Sequence, residues 1–259
     1  WPCCGARWPA WQNPAMNAFR TVAAALALAS LPLMPPASAA PPERVLVFTK
    51  TAGFRHDAIP TAVATLKTLA GEAGMVADHT EDAKVFTVGN LARYRVVVFA
   101  STTGDVLDEA QQAAMEGFIR GGGGFVGVHA AADTEYDWPW YGRLVGAYFK
   151  NHPPGVQATH VQPERDGKPV DTRWPITDEL YNYRANPRPR VHVVATVDER
   201  EYDGGEMGDD HPITWCHAFD GGRSWYTGLG HDAKVYANEN VLAQLARGLR
   251  YAAGRSDDC

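Results

Sequence analysis

Apolar positions fall into short unbroken runs separated by stretches with helical spacing. Arg44-Val45-Leu46-Val47-Phe48-Thr49 is almost wholly apolar in its centre, the pattern of a strand covered on both faces. From Ala58 to Ala73, apolar residues recur three or four positions apart (Ile59, Val63, Leu66, Leu69, Ala70, Ala73), which predicts a helix stopped at Gly74. Met75 to His79 predicts a short second strand and Tyr94 to Ala100 a third. Asp108 to Ile119 predicts a helix capped by Asp108 and ended by the glycines at 121–124. Phe125 to Val128 is a fourth strand. The order strand, helix, strand, strand, helix, strand implies an α/β protein with a mostly parallel sheet flanked by helices.

The second half changes character. Val156 to Pro163, Val191 to Val197 and Pro212 to Phe219 predict strands. Asp220-Gly221-Gly222 predicts a turn, with Arg223 to Leu229 returning to the sheet as a hairpin. A closing helix is expected over Val241 to Ala252, with Leu242, Leu245, Leu249 and Ala253 on one face. No repeat or long linker interrupts residues 40–259, which read as one domain.

The first 39 residues read differently. Met16-Asn17-Ala18-Phe19-Arg20 is a short basic start, Thr21 to Met34 is an Ala/Leu-rich run, and Ala37-Ser38-Ala39 is an A-x-A cleavage site. Together they form the pattern of a secretory signal peptide, with Met16 as the start and cleavage near Ala39. A buried helix is the alternative, but Pro32, Pro35 and Pro36 break its far end. The expected location is secreted or periplasmic. Cleavage would leave two of the four cysteines, Cys216 and Cys259. In an oxidising compartment they could pair. The favoured expectation is an unpaired core thiol at Cys216, in an apolar strand pattern, and a loose terminal Cys259.

Composition narrows the function classes. The 259 residues are 45% hydrophobic and carry a net charge of −6, which speaks against a nucleic-acid partner needing a clustered basic surface. No run of eighteen apolar residues follows residue 40, so no membrane span is expected there.

In open parallel sheets, ligands sit outside the carboxyl ends of the strands. There the sequence places Lys50 to Asp57, Ser101 to Asp105, His129 to Thr134, and Gly230-His231-Asp232. Three histidines, His56, His129 and His231, thus fall on connections that should converge. Gly127-Val128-His129-Ala130-Ala131 has the small residues of a nucleophile elbow, but with histidine at its apex. Imidazole suits acid–base work or metal ligation. No cysteine is nearby in sequence.

The chain resembles the ThuA-like (trehalose-utilisation) family of the class I glutamine amidotransferase-like superfamily. The resemblance rests on Val47 to His56, Gly122 to Thr134, Asn151-His152-Pro153, Asp210 to Trp215, and Gly222 to His231, and spans about residues 44 to 254. It implies a flavodoxin-like, amidotransferase-type fold. The amidotransferase cysteine would fall on His129 and its catalytic histidine near His231, so glutaminase activity is not expected. The family's link is to disaccharide catabolism, beside sugar oxidoreductases and keto-glycoside-cleaving domains.

Expected catalytic residues are His129 and His231, supported by His56 and Asp133. Asp133 could equally cap the turn after the elbow. Expected substrate contacts are Arg55, Asp105, Tyr136, Trp138, His152 and His217, although His217 reads equally as a packing residue; Tyr136, Trp138, Trp140 and Tyr141 read either as rings on which a sugar's C–H face could stack or as a packed surface loop anchored by tryptophan. His56, His129 and His231 are the candidate ligands of a divalent metal such as zinc, although no HExxH-type spacing is present. His160, His192 and His79 read as structural or exposed; His152 and His211, each before proline, read equally as turn residues. The partner expected is a small carbohydrate, isomerised, hydrated or cleaved by elimination. The rivals are a non-catalytic carbohydrate-binding module and an inactive interaction protein of the same fold.

Overall fold

A computed structural model describes residues 42–170 and 172–259; the expected signal segment and Met16 lie outside them. Twelve strands form in chain order. They are β1 (Arg44–Phe48), β2 (Val76–Thr80), β3 (Val96–Ala100), β4 (Gly124–Val128), β5 (Phe149–Asn151), β6 (Gln157–Arg165), β7 (Lys168–Pro169), β8 (Trp174–Asp178), β9 (Asn182–Tyr183), β10 (His192–Val197), β11 (His211–Phe219) and β12 (Gly222–Thr227). The helices are α1 (Ile59–Glu72), α2 (Val88–Leu91), α3 (Glu109–Arg120), α4 (Pro139–Val145) and α5 (Glu239–Ala252).

The main sheet runs β2-β1-β3-β4-β12-β11-β10-β6-β7, with β8 also paired to β6. Its first five strands are parallel; from β12 onward every pairing is antiparallel. The expectation of a parallel sheet thus holds for the half that presents the strand ends, and an antiparallel extension completes it. β8 and the small β5/β9 sheet were not foreseen. β8 contains Pro175, which argues against a strand until one sees that its exposed neighbours alternate with buried Trp174, Ile176 and Asp178.

One core packs α1 and α5 against the sheet through Ile59, Leu66, Val98, Trp225 and Leu249. The other packs α3 and α4 on the opposite face through Phe48, Phe99, Phe125, Met115 and Tyr141. Asp108 caps α3 as expected, in a reciprocal box with Gln111. Among the described residues no helix is long and apolar enough to cross a membrane.

The cysteine expectation is corrected. Cys216 and Cys259 form a disulfide. After α5 the chain folds back over the sheet, so Cys259 is buried and its carbonyl accepts a bond from the Trp225 indole N–H.

Candidate functional site

Four connections deliver side chains to the carboxyl edge of the parallel strands. The loop after β1 is tied to the loop after β3, with Ala52 N–H donating to Thr103 O at 2.7 Å. It ends in His56, which is buried. β4 runs into His129, whose φ of +51° is an uncommon left-handed conformation for a non-glycine residue. A tight 3-10 turn follows over His129–Asp133, which is the elbow geometry. Gly127 permits it: a Cβ there would meet Tyr226 Cδ2 at 2.9 Å and Ala131 Cβ at 3.2 Å. Glu179 directly follows β8, and His231 follows β12. Asp178 holds the His231 loop in place, accepting N–H bonds from Gly230 (2.6 Å) and His231 (3.1 Å).

The three imidazoles and the Glu179 carboxylate each offer a donor atom, and these four atoms lie within 4.8 Å of one another. His129 Nδ1 is 2.8 Å from the Gly228 carbonyl. A carbonyl only accepts, so Nδ1 carries the proton and the Nε2 lone pair faces inward. That Nε2 stands 3.2 Å from His56 Nε2 and 3.4 Å from Glu179 Oε2. His231 Nδ1 is 3.2 Å from Glu179 Oε2, yet the pair is not aligned as a hydrogen bond and this buried nitrogen has no other partner. Tetrahedral nitrogen and oxygen donors around zinc stand about 3.3–3.4 Å apart. The donor set therefore fits a borderline divalent ion, as three His and one carboxylate should.

The charges are interlocked. Burial works against the Glu179 carboxylate, but His129 and His231 overcome it and hold the group well below the usual range. Burial, then the neighbouring His129 and His231, pushes His56 down to about 3, so this imidazole is neutral with a lone pair to give. Glu179 raises His231.

Around the four, His152 Nδ1 lies 2.8 Å from Pro153 O and 3.3 Å from Glu179 Oε1, so it borders the carboxylate from outside. Tyr181 lies over His129 with ring centroids 4.3 Å apart. His211 in turn holds the Tyr181 carbonyl at 2.9 Å and meets Glu199 at 2.8 Å. Asp133 stands at the end of the elbow turn, accepting the Tyr136 hydroxyl at 2.6 Å; burial raises its carboxyl.

Several expected contacts are elsewhere. Arg55 turns away to a bidentate pair with Glu81. Asp105 is exposed on the rim of a separate depression with Lys50 and Glu81. Trp138 is buried, stacked on Trp140 at 5.1 Å, with its indole N–H on Glu116. Trp140 and Tyr141 are buried with it. His217 pairs across the sheet with Ser224, level with Phe125. That is about 13 Å along the strand from His129, at about 3.3 Å per residue. Its Nε2 is 3.0 Å from the Arg143 carbonyl instead. Glu179, Asp178 and Tyr181 were not foreseen. An adjacent acidic pair closing the alternating Trp174-Pro175-Ile176-Thr177 segment was the available signal.

A mostly parallel mixed sheet between helix layers, with histidine at the elbow after β4, defines an α/β protein. The chain belongs to the ThuA family, described as trehalose utilisation, whose model matches residues 44–252. It is similar to a ThuA-like protein from Bacteroides uniformis (22% identity, TM-score 0.66, covering 83% of this chain and 95% of that one). A second ThuA-like protein, from Parabacteroides merdae, is 19% identical with a TM-score of 0.68, covering 83% and 91%. A β-galactosidase from Rahnella sp. R3 shares the fold over 81% of this chain but only 31% of its own, at 14% identity and a TM-score of 0.52. No curated protein matches the chain.

Proposed function

We propose that the chain is an exported, metal-dependent enzyme acting on sugars or keto-sugars, without amidotransferase activity. The observation that carries this is the convergence of His56, His129, Glu179 and His231, with the His129 tautomer fixed from outside, where such sheets bind ligands. The family description of trehalose utilisation supports a carbohydrate substrate. Bound there, a divalent ion such as zinc would supply Lewis acidity toward a sugar carbonyl or hydroxyl.

The chain's own groups do the rest. The Gly228 carbonyl holds the His129 ring, and Asp178 holds the backbone that carries His231. His152 braces the second oxygen of Glu179. Asp133, raised by burial and bonded to Tyr136, is the group for holding and moving a proton beside a carbonyl, as isomerisation, hydration or elimination requires. Among the described residues glutaminase chemistry has no thiolate: the elbow carries histidine, and Cys216 and Cys259 are disulfide-bonded to each other. That same disulfide supports export, since such bonds persist in oxidising compartments.

The test is metal analysis of the purified protein together with turnover of a 3-keto-glucoside. A folded His129→Ala variant is expected to lose both its metal and its turnover; retained turnover overturns the assignment. Sugar binding with no product, with or without zinc, would instead make the chain a carbohydrate-binding module.

A further inference from the structure

Burial of Trp138, Trp140 and Tyr141 removes three of the four rings expected to stack on a sugar, and the fourth, Tyr136, is covered by the Arg184 guanidinium at 4.0 Å from its centroid. One other aromatic stands open. Phe54 is 66% exposed, and among the described residues it is the aromatic that reaches solvent most fully. Its ring meets the His56 ring almost perpendicularly, with centroids 4.8 Å apart, so it borders one of the four donor residues directly.

The loop that carries Phe54 is fixed. Thr103 Oγ1 donates to the Phe54 carbonyl at 2.8 Å, and Gly53 N–H donates to the same Oγ1 at 3.2 Å. Gly104, in a left-handed conformation, lets the two loops touch: a Cβ there would meet Ala52 Cβ and Gly53 N at 3.2 Å. The ring is thus presented by an ordered backbone, at little further entropic cost to a ligand.

Resting on the reading of the site as a sugar site, we infer that Phe54 is the platform on which the C–H face of a pyranose rests. A pyranose is apolar on its face and polar on its rim. Placed on Phe54, it turns rim oxygens toward His56 and its neighbours. A lipid or apolar peptide would need a broader apolar patch. The other large apolar residues that are exposed, Val76, Val88 and Val156, lie on other segments of the chain.

The test compares the full chain with Phe54→Ala and Phe54→Trp, using methyl α-D-glucopyranoside and its 3-keto derivative as probes. Calorimetry reads affinity, saturation-transfer NMR reads which sugar protons face an aromatic ring, and elemental analysis reads metal content. Phe54→Ala is expected to bind about tenfold more weakly and to lose saturation transfer to one face of the sugar, with metal content unchanged. Phe54→Trp is expected to keep both. A Phe54→Ala chain with wild-type affinity and saturation pattern overturns the platform and leaves the metal–sugar reading standing. A wild-type chain that binds neither probe overturns both.

Discussion

Replacing Glu179 by Gln keeps the side chain's shape and removes its charge. In the wild-type chain, Oε2 stands 3.4 Å from His129 Nε2 and 3.2 Å from His231 Nδ1. If these atoms share an ion, it stabilises the fold by mass action. With zinc at 100 times its dissociation constant the gain is about 2.7 kcal/mol. At about 2–4 °C per kcal/mol for a chain of this size, the melting temperature rises by about 5–11 °C. Losing only an outer partner of a ligand costs about 10–100-fold in affinity, so losing a ligand's charge costs at least about 100-fold. Glu179→Gln at the same zinc concentration then gains about 0.4 kcal/mol, or about 1 °C. Differential scanning fluorimetry of EDTA-treated protein, titrated with zinc, manganese and nickel, measures both shifts. Glu201→Gln is the control, because Glu201 also meets a histidine (His160, 3.0 Å) but lies outside the cluster. An equal shift in Glu179→Gln and wild type, or no shift in wild type with any ion, refutes the reasoning.

Other outcomes follow from single contacts. Gly127→Ala should lower stability by about 1–3 kcal/mol through overpacking against Tyr226; an unchanged urea midpoint would contradict this. Replacing Cys216 and Cys259 by alanine opens a loop with a sequence separation of 43 and should cost about 2–4 kcal/mol, read from denaturation of the variant beside the reduced wild type. Burial opposes the charge of Glu201, but Arg173 and His160 win and hold it down to about 2, against 4.5 for a free group. Its folded value is the lower one, so its contribution is present above pH 4.5 and fades as pH falls toward 2. Melting curves across that window should fall less steeply for Glu201→Gln than for wild type, and parallel curves would sink the idea.

The sequence makes the parallel half of the fold legible because its strands are buried on both faces and its helices carry ordinary start and stop signals. The same logic brings out His56, His129 and His231, each on the connection that follows such a strand. Glu179 escapes because β8 belongs to the antiparallel part, is interrupted by Pro175, and pairs with a strand rather than leading into a helix. His217 is misread because alternation along a strand gives the face and not the height. Its level is set by the β11–β12 register, which places it beside Ser224. Trp138 is misread, and Phe54 is not singled out at all. A tryptophan among Asp, Thr and Pro looks like a surface ring but packs beneath α4, while a phenylalanine in a glycine-bearing loop is the one left in water.

The four donors hang from connections scattered between residue 56 and residue 231, and Glu179 comes from the antiparallel extension while His56 and His129 come from the parallel half. A folding intermediate holding only β1 to β4 would have two imidazoles and no carboxylate. Closure of the cluster waits for the contacts of highest sequence separation, which are the slowest to form. The time course of ion uptake during refolding would therefore mark the joining of the two halves, and chelation would act most strongly on that final step.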